Sequence, residues 1–87
     1  MNLTKITIPD SVTSIGDRAF QSCENLTDVS LGNGVRTIGT GAFDGCVSLT
    51  SISIPNSVSQ LGVDIFSGCI SLTEVTIGIG VPYIGYI

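Results

Sequence analysis

The chain has 87 residues, 43% of them hydrophobic and only 11% charged, a balance too apolar for a disordered tail and sufficient for one modest domain that buries most of itself. Seven acids against three bases, Lys5, Arg18 and Arg36, give a net charge of -4 and leave no basic face for phosphates, which argues against nucleic-acid binding. No apolar run approaches the roughly 20 residues of a membrane helix, and MNLTKITIPD lacks the basic and then apolar layout of a secretory signal, so the chain is expected to be soluble, without membrane insertion, any export signal lying outside it.

The first apolar segment, around Ile6 and Ile8, recurs along the chain at a spacing of 23 residues. Leu3, Leu26, Leu49 and Leu72 share one position, as do Ile6, Val29, Ile52 and Val75, and then Ile8, Leu31, Ile54 and Ile77. The same step links Val12, Val35, Val58 and Val81, then Ile15, Ile38, Leu61 and Ile84, and carries Gly16 onto Gly39, Gly62 and Gly85. Phe20, Phe43 and Phe66 follow it, and all three cysteines, Cys23, Cys46 and Cys69, occupy one position. The chain is therefore read as a single solenoid segment, 1–87, with units 1–23, 24–46 and 47–69 and a partial unit 70–87.

Within a unit, the first element is a short strand. Leu26 leads into Val29 and Leu31, which alternate with Asp28 and Ser30, so one face turns inward and the other outward. A turn follows at PDS, GNG, PNS or GIG, where proline fixes φ or glycine relaxes it and either serves a tight bend. Val35 and Ile38 lead to Gly39, a glycine in all four units, which suggests a backbone angle that a side chain resists. GAFDGC then suits one helical turn with Ala42, Phe43 and Cys46 inward, and a loop returns the chain to the next strand. A unit of this size does not bury its apolar face alone, so stability is expected from stacking, with four strands forming a parallel sheet.

The pattern L-x-x-[IV]-x-[IL]-[PG]-x-x-V-x-x-[IL]-G-x-x-A-F-x-x-C resembles the BspA-like leucine-rich repeat, a 23-residue class found in surface proteins of bacteria and some protists. The resemblance covers the whole chain, with Ile65 replacing the alanine in the third unit and Pro82 and Tyr83 standing at polar positions in the fourth. It implies a mainly β, right-handed repeat solenoid with one short parallel strand per unit and short helical turns. It also implies a noncatalytic module of a secreted or cell-surface protein, with a host surface or matrix protein as partner.

The residues capable of chemistry are few. The cysteines read as buried small side chains. A ladder of Cys23, Cys46 and Cys69 places neighbours within disulfide range, but three is an odd number and ladder side chains run parallel instead of facing each other. With no histidine and no C-x-x-C, ligands for zinc and a base for a thiol nucleophile are both missing. The glycine-rich residues 32–41 lack the G-x-G-x-x-G spacing of a dinucleotide site, and several of those glycines belong to the repeat. Asp28 and Glu74 share an outward column two units apart, which suits a solvated face better than acid–base catalysis. The NLT sequons at Asn2 and Asn25 share one repeat position and are read as incidental. No catalytic residue, cofactor or metal site is expected.

The outward strand face remains as the candidate protein-binding surface. Its columns are Lys5, Asp28, Ser51 and Glu74 beside Thr7, Ser30, Ser53 and Thr76, with Thr4, Thr27, Thr50 and Thr73 at the rim. The face is rich in hydroxyls, mildly acidic and without the tryptophan, tyrosine and arginine of strong hot spots, so a partner is expected to be held weakly per unit and by avidity along a longer array. Both ends lack polar caps, which reads as an excerpt of a longer array or as a protomer that associates end to end. The alternative to a binding module is a spacer or stalk that carries another domain and has no ligand of its own.

Overall fold

The computed structural model describes residues 3–81. Each 23-residue step makes one coil of a parallel β-solenoid. Four-residue strands recur as β1 (Lys5–Ile8), β3 (Asp28–Leu31), β5 (Ser51–Ile54) and β7 (Glu74–Ile77), and two-residue strands as β2 (Ser14–Ile15), β4 (Thr37–Ile38) and β6 (Gln60–Leu61). A coil thus contributes a second, shorter strand beyond the one expected. The register follows the repeat: Ile6 pairs with Val29, Ile15 with Ile38, Ile38 with Leu61 and Ile52 with Val75, all in parallel.

The core lies between the strand walls and the turn wall. Leu26, Val35, Phe43, Cys46, Leu49 and Val58 are fully enclosed. Burial at one repeat position depends on having neighbours on both sides: Leu26 and Leu49 are enclosed, whereas Leu3 is 38% exposed. The phenylalanines stack, Phe20 on Phe43 at 5.4 Å and Phe43 on Phe66 at 6.1 Å between ring centroids. Ile65, at the position of Ala42, is also fully enclosed, so the larger side chain finds room in the core.

Three expectations change. The Ala-Phe segment is a series of turns, and no helix forms among the described residues. The reason lies in how its amides are used. Ala19, Gln21 and Cys23 donate three residues back, to Gly16, Arg18 and Phe20 carbonyls, while Arg18, Phe20 and Ser22 donate to Thr40, Ala42 and Asp44 of the next coil. An α-helix would consume the second set internally. Positive φ angles of 55° at Arg18 and 60° at Ser22 further prevent helical propagation.

Gly39, secondly, does not occupy the left-handed region, in which the structure places Gly41, Gly45 and Gly68. What it lacks is space: a Cβ there would lie 2.5 Å from the Asp17 backbone nitrogen of the preceding coil. Gly16 meets nothing within 4 Å at the same repeat position. Gly85 and Ile84, with Pro82 and Tyr83, lie outside the described residues.

Thirdly, the four long strands do not form one sheet. β1 pairs with β3 and β5 with β7, but β3 and β5 share no ladder, whereas β2, β4 and β6 form a continuous three-stranded sheet. Among the described residues no helix is long and apolar enough to cross a membrane.

Candidate functional site

Strand alternation puts Ile6, Val29, Ile52 and Val75 toward the core and turns their neighbours out. The eight outward residues expected from the sequence, Lys5, Thr7, Asp28, Ser30, Ser51, Ser53, Glu74 and Thr76, are all exposed. They come together as the lining of one shallow groove of about 380 Å³, with Ile6, Val29 and Ile52 contributing at its floor. The rim threonines are partly engaged in stacking: Thr27 donates its Oγ1–H to the Thr4 carbonyl at 3.2 Å and Thr73 to that of Thr50 at 3.3 Å.

Charge on this face is sparse and ordered. Lys5 Nζ stands 4.0 Å from Asp28 Oδ2, both side chains largely in water at 77% and 66% exposure, so the pair contributes at most about 1 kcal/mol to stability. Both groups therefore remain available to a partner. Glu74 lies two coils from Asp28 and pairs with Ser51, which belongs to the coil between them. Two carboxylates so separated and exposed have no means of holding one proton between them, and they make a solvated acidic edge in preference to an acid–base pair.

The cysteines belong to the apolar core ladder. Cys23 and Cys46 are fully enclosed and Cys69 partly so, and all three are free thiols. Cys46 donates its S–H to the Phe20 carbonyl at 3.3 Å and Cys69 to that of Phe43 at 3.0 Å. Burial, with Cys69 beside it, pushes the Cys46 thiol up to about 11, and burial raises Cys69 as well. A nucleophilic or metal-binding cysteine is a thiolate, and Cys46 and Cys69 are held as thiols at neutral pH. No three His, Cys, Asp or Glu side chains among the described residues are grouped to hold a metal ion.

The sequence reading assigned no role to the polar residues that join coils. Asp10 Oδ1 accepts from the Asn33 N–H at 2.9 Å, Asp17 Oδ1 from Thr40 at 2.9 Å, and Asn56 Oδ1 from Ile79 at 3.0 Å. Asp and Asn at turn positions are known to bind nearby amides, and that habit was the available signal. These side chains are occupied in holding the stack and do not line the groove.

A coiled stack with an enclosed apolar ladder and an open polar strand face defines a leucine-rich-repeat solenoid. The family model described as "BspA type Leucine rich repeat region (6 copies)" matches residues 1–86, and the chain belongs to that family. Among solved structures, it is similar to a leucine rich cell surface protein from Faecalibacterium prausnitzii, with 38% identity and a TM-score of 0.86 over 97% of this chain and 22% of that one. It is also similar to the pneumococcal vaccine antigen PcpA, with 26% identity and a TM-score of 0.77 over 90% of this chain and 19% of that one. The chain thus spans about a fifth of the length of each of these proteins. No curated protein matches it.

Proposed function

We propose that the chain is a noncatalytic interaction or adhesion module of a secreted or cell-surface leucine-rich-repeat protein, and that it binds a protein partner through its strand face. The observation that carries this reading is the groove in which Lys5, Asp28, Ser51 and Glu74 stand beside Thr7, Ser30, Ser53 and Thr76, presented from four strands that pair in register as β1 with β3 and β5 with β7. The Faecalibacterium protein described as a cell surface protein supports the location. A host surface or matrix protein fits as the partner, held through many weak contacts along an array.

A second reading, a spacer that carries other domains, is favoured by one specific feature: no aromatic or arginine side chain lines the groove among the described residues, and such residues dominate strong interfaces. The two readings separate in a binding experiment against immobilised matrix and host-surface proteins, using tandem copies of the chain to supply avidity. Capture that disappears when Lys5, Asp28 and Glu74 are all changed to serine supports the strand face. Capture that persists unchanged in that variant refutes it, and absence of capture by the unaltered array favours the spacer.

A further inference from the structure

The turn after the long strand alternates in sequence: Pro9 and Ser11 in the first coil, Gly32 and Gly34 in the second, Pro55 and Ser57 in the third, Gly78 and Gly80 in the fourth. The junctions alternate with it. Where a glycine coil follows a proline coil the strands pair, β1 with β3 and β5 with β7; where the proline coil follows the glycine coil, β3 and β5 do not. We propose that the solenoid is built of two-coil blocks, and that the junction between the second and third coils is a hinge along which the strand face opens while the turn wall stays closed.

The physical basis lies in what proline and glycine allow. At Gly32 a Cβ would lie 2.6 Å from the Ile8 oxygen and 2.7 Å from the Pro9 carbonyl carbon, and at Gly78 it would lie 2.6 Å from the Asn56 nitrogen. The glycine coils are seated so tightly on the proline coils that no side chain fits between them. Pro55, at the same position of the third coil, brings a ring into that space.

The hydrogen bonds follow suit. Asp10 and Asn56 side chains each accept from the turn of the glycine coil that follows. Across the other junction the contact changes, and Ser57 Oγ–H donates to the Val35 carbonyl at 2.7 Å. Thr27 and Thr73 each donate backbone N–H and side-chain O–H to Thr4 and Thr50, and the same pair of bonds is missing between Thr50 and Thr27. The phenylalanine spacing widens there too, to 6.1 Å from 5.4 Å.

The backbone bonding of the turn wall shows no such break. Gly41, Phe43 and Gly45 donate to the Val63, Ile65 and Ser67 carbonyls at 2.7 to 3.0 Å, and β4 pairs with β6. The second and third coils are therefore joined by backbone bonds on two walls, while on the third the Ser48 and Ser57 hydroxyls donate to the Glu24 and Val35 carbonyls on either side of an unpaired β3 and β5. That third wall carries the groove, so opening there would separate Asp28 and Ser30 from Ser51 and Ser53.

Residue-resolved amide hydrogen exchange on the 87-residue chain tests this. Asp28 aims its N–H at the Thr4 carbonyl of the preceding coil. Successive N–H groups along a strand point to opposite sides, so Ser30 aims the same way, and Ser51 and Ser53, at the equivalent positions of β5, aim at β3. The expected result is that Ser51 and Ser53 exchange at least about tenfold faster than Asp28 and Ser30, although they sit nearer the middle of the stack. Fraying from the ends would produce the opposite order. In Pro55→Gly, which restores the space, Ser51 and Ser53 should slow to the rates of Asp28 and Ser30. Equal protection of the two pairs in the unaltered chain overturns the hinge, and so does fast exchange that persists in folded Pro55→Gly. If that variant does not fold, the comparison within the unaltered chain decides alone.

Discussion

Cys46 donates its S–H to the backbone carbonyl of Phe20 in the preceding coil, 3.3 Å away, and Cys69 repeats the contact with Phe43 at 3.0 Å. The thiol is therefore a link between coils as well as core filling. Because Cys23 and Cys46 are fully enclosed, both should resist a bulky thiol reagent in the folded chain and react stoichiometrically once it is unfolded. Cys69, only partly covered, should label at an intermediate rate. Rapid native labelling of Cys46 would show that the stack does not close as described.

Cys46 also makes stability depend on pH. Its pKa is pushed up from 9.0 to about 11, first by burial and then by Cys69 beside it. The unfolded chain gives up this proton at a lower pH than the folded chain does. The thiol's contribution is therefore complete below about pH 9 and is lost as pH rises toward about 11. The urea midpoint should fall over that window, and Cys46→Ala should flatten the fall. A wild-type midpoint constant across it would contradict the burial.

Phe43 is enclosed between two rings, whereas Phe20 is stacked on one only and partly exposed. Phe43→Ala should cost about 3–5 kcal/mol by removing buried volume and both stacking contacts. Phe20→Ala should cost clearly less. Denaturant unfolding of the two variants checks the order, and equal losses would mean that stacking from both sides contributes nothing extra.

The glycine column allows a sharper contrast. Gly39→Ala places a methyl group against the Asp17 backbone and should destabilise by about 1–3 kcal/mol or more. Gly16→Ala, at the same repeat position with open space around it, should stay within about 0.5 kcal/mol of the unaltered chain. Thermal or urea denaturation of the pair gives the answer directly.

That contrast shows where sequence reading reached its limit. The 23-residue step, the apolar columns and the eight residues of the groove were all legible, because alternation and recurrence alone determine which side chains turn in and which turn out. The recurrence of Gly39 points to a special backbone angle, whereas the structure shows a neighbouring backbone excluding any side chain, and the two causes look alike in a sequence. The Ala-Phe turn was read as helical because local spacing does not reveal that alternate amides are spent on the next coil. Proline and glycine were treated as interchangeable in the turn after the strand. They differ only once a neighbouring coil is present, when Gly32 approaches its backbone closely and the Pro55 ring occupies that space.

The central functional claim concerns which wall meets a partner. Amide chemical-shift mapping, with a captured matrix or host-surface protein titrated into the labelled chain, tests it most directly. Shifts should concentrate at Thr7, Ser30, Ser53 and Thr76 and at Lys5, Asp28, Ser51 and Glu74, with the turn wall around Arg18, Gln21 and Asp44 left unperturbed. Shifts confined to that turn wall, with the strand face unchanged, would contradict it.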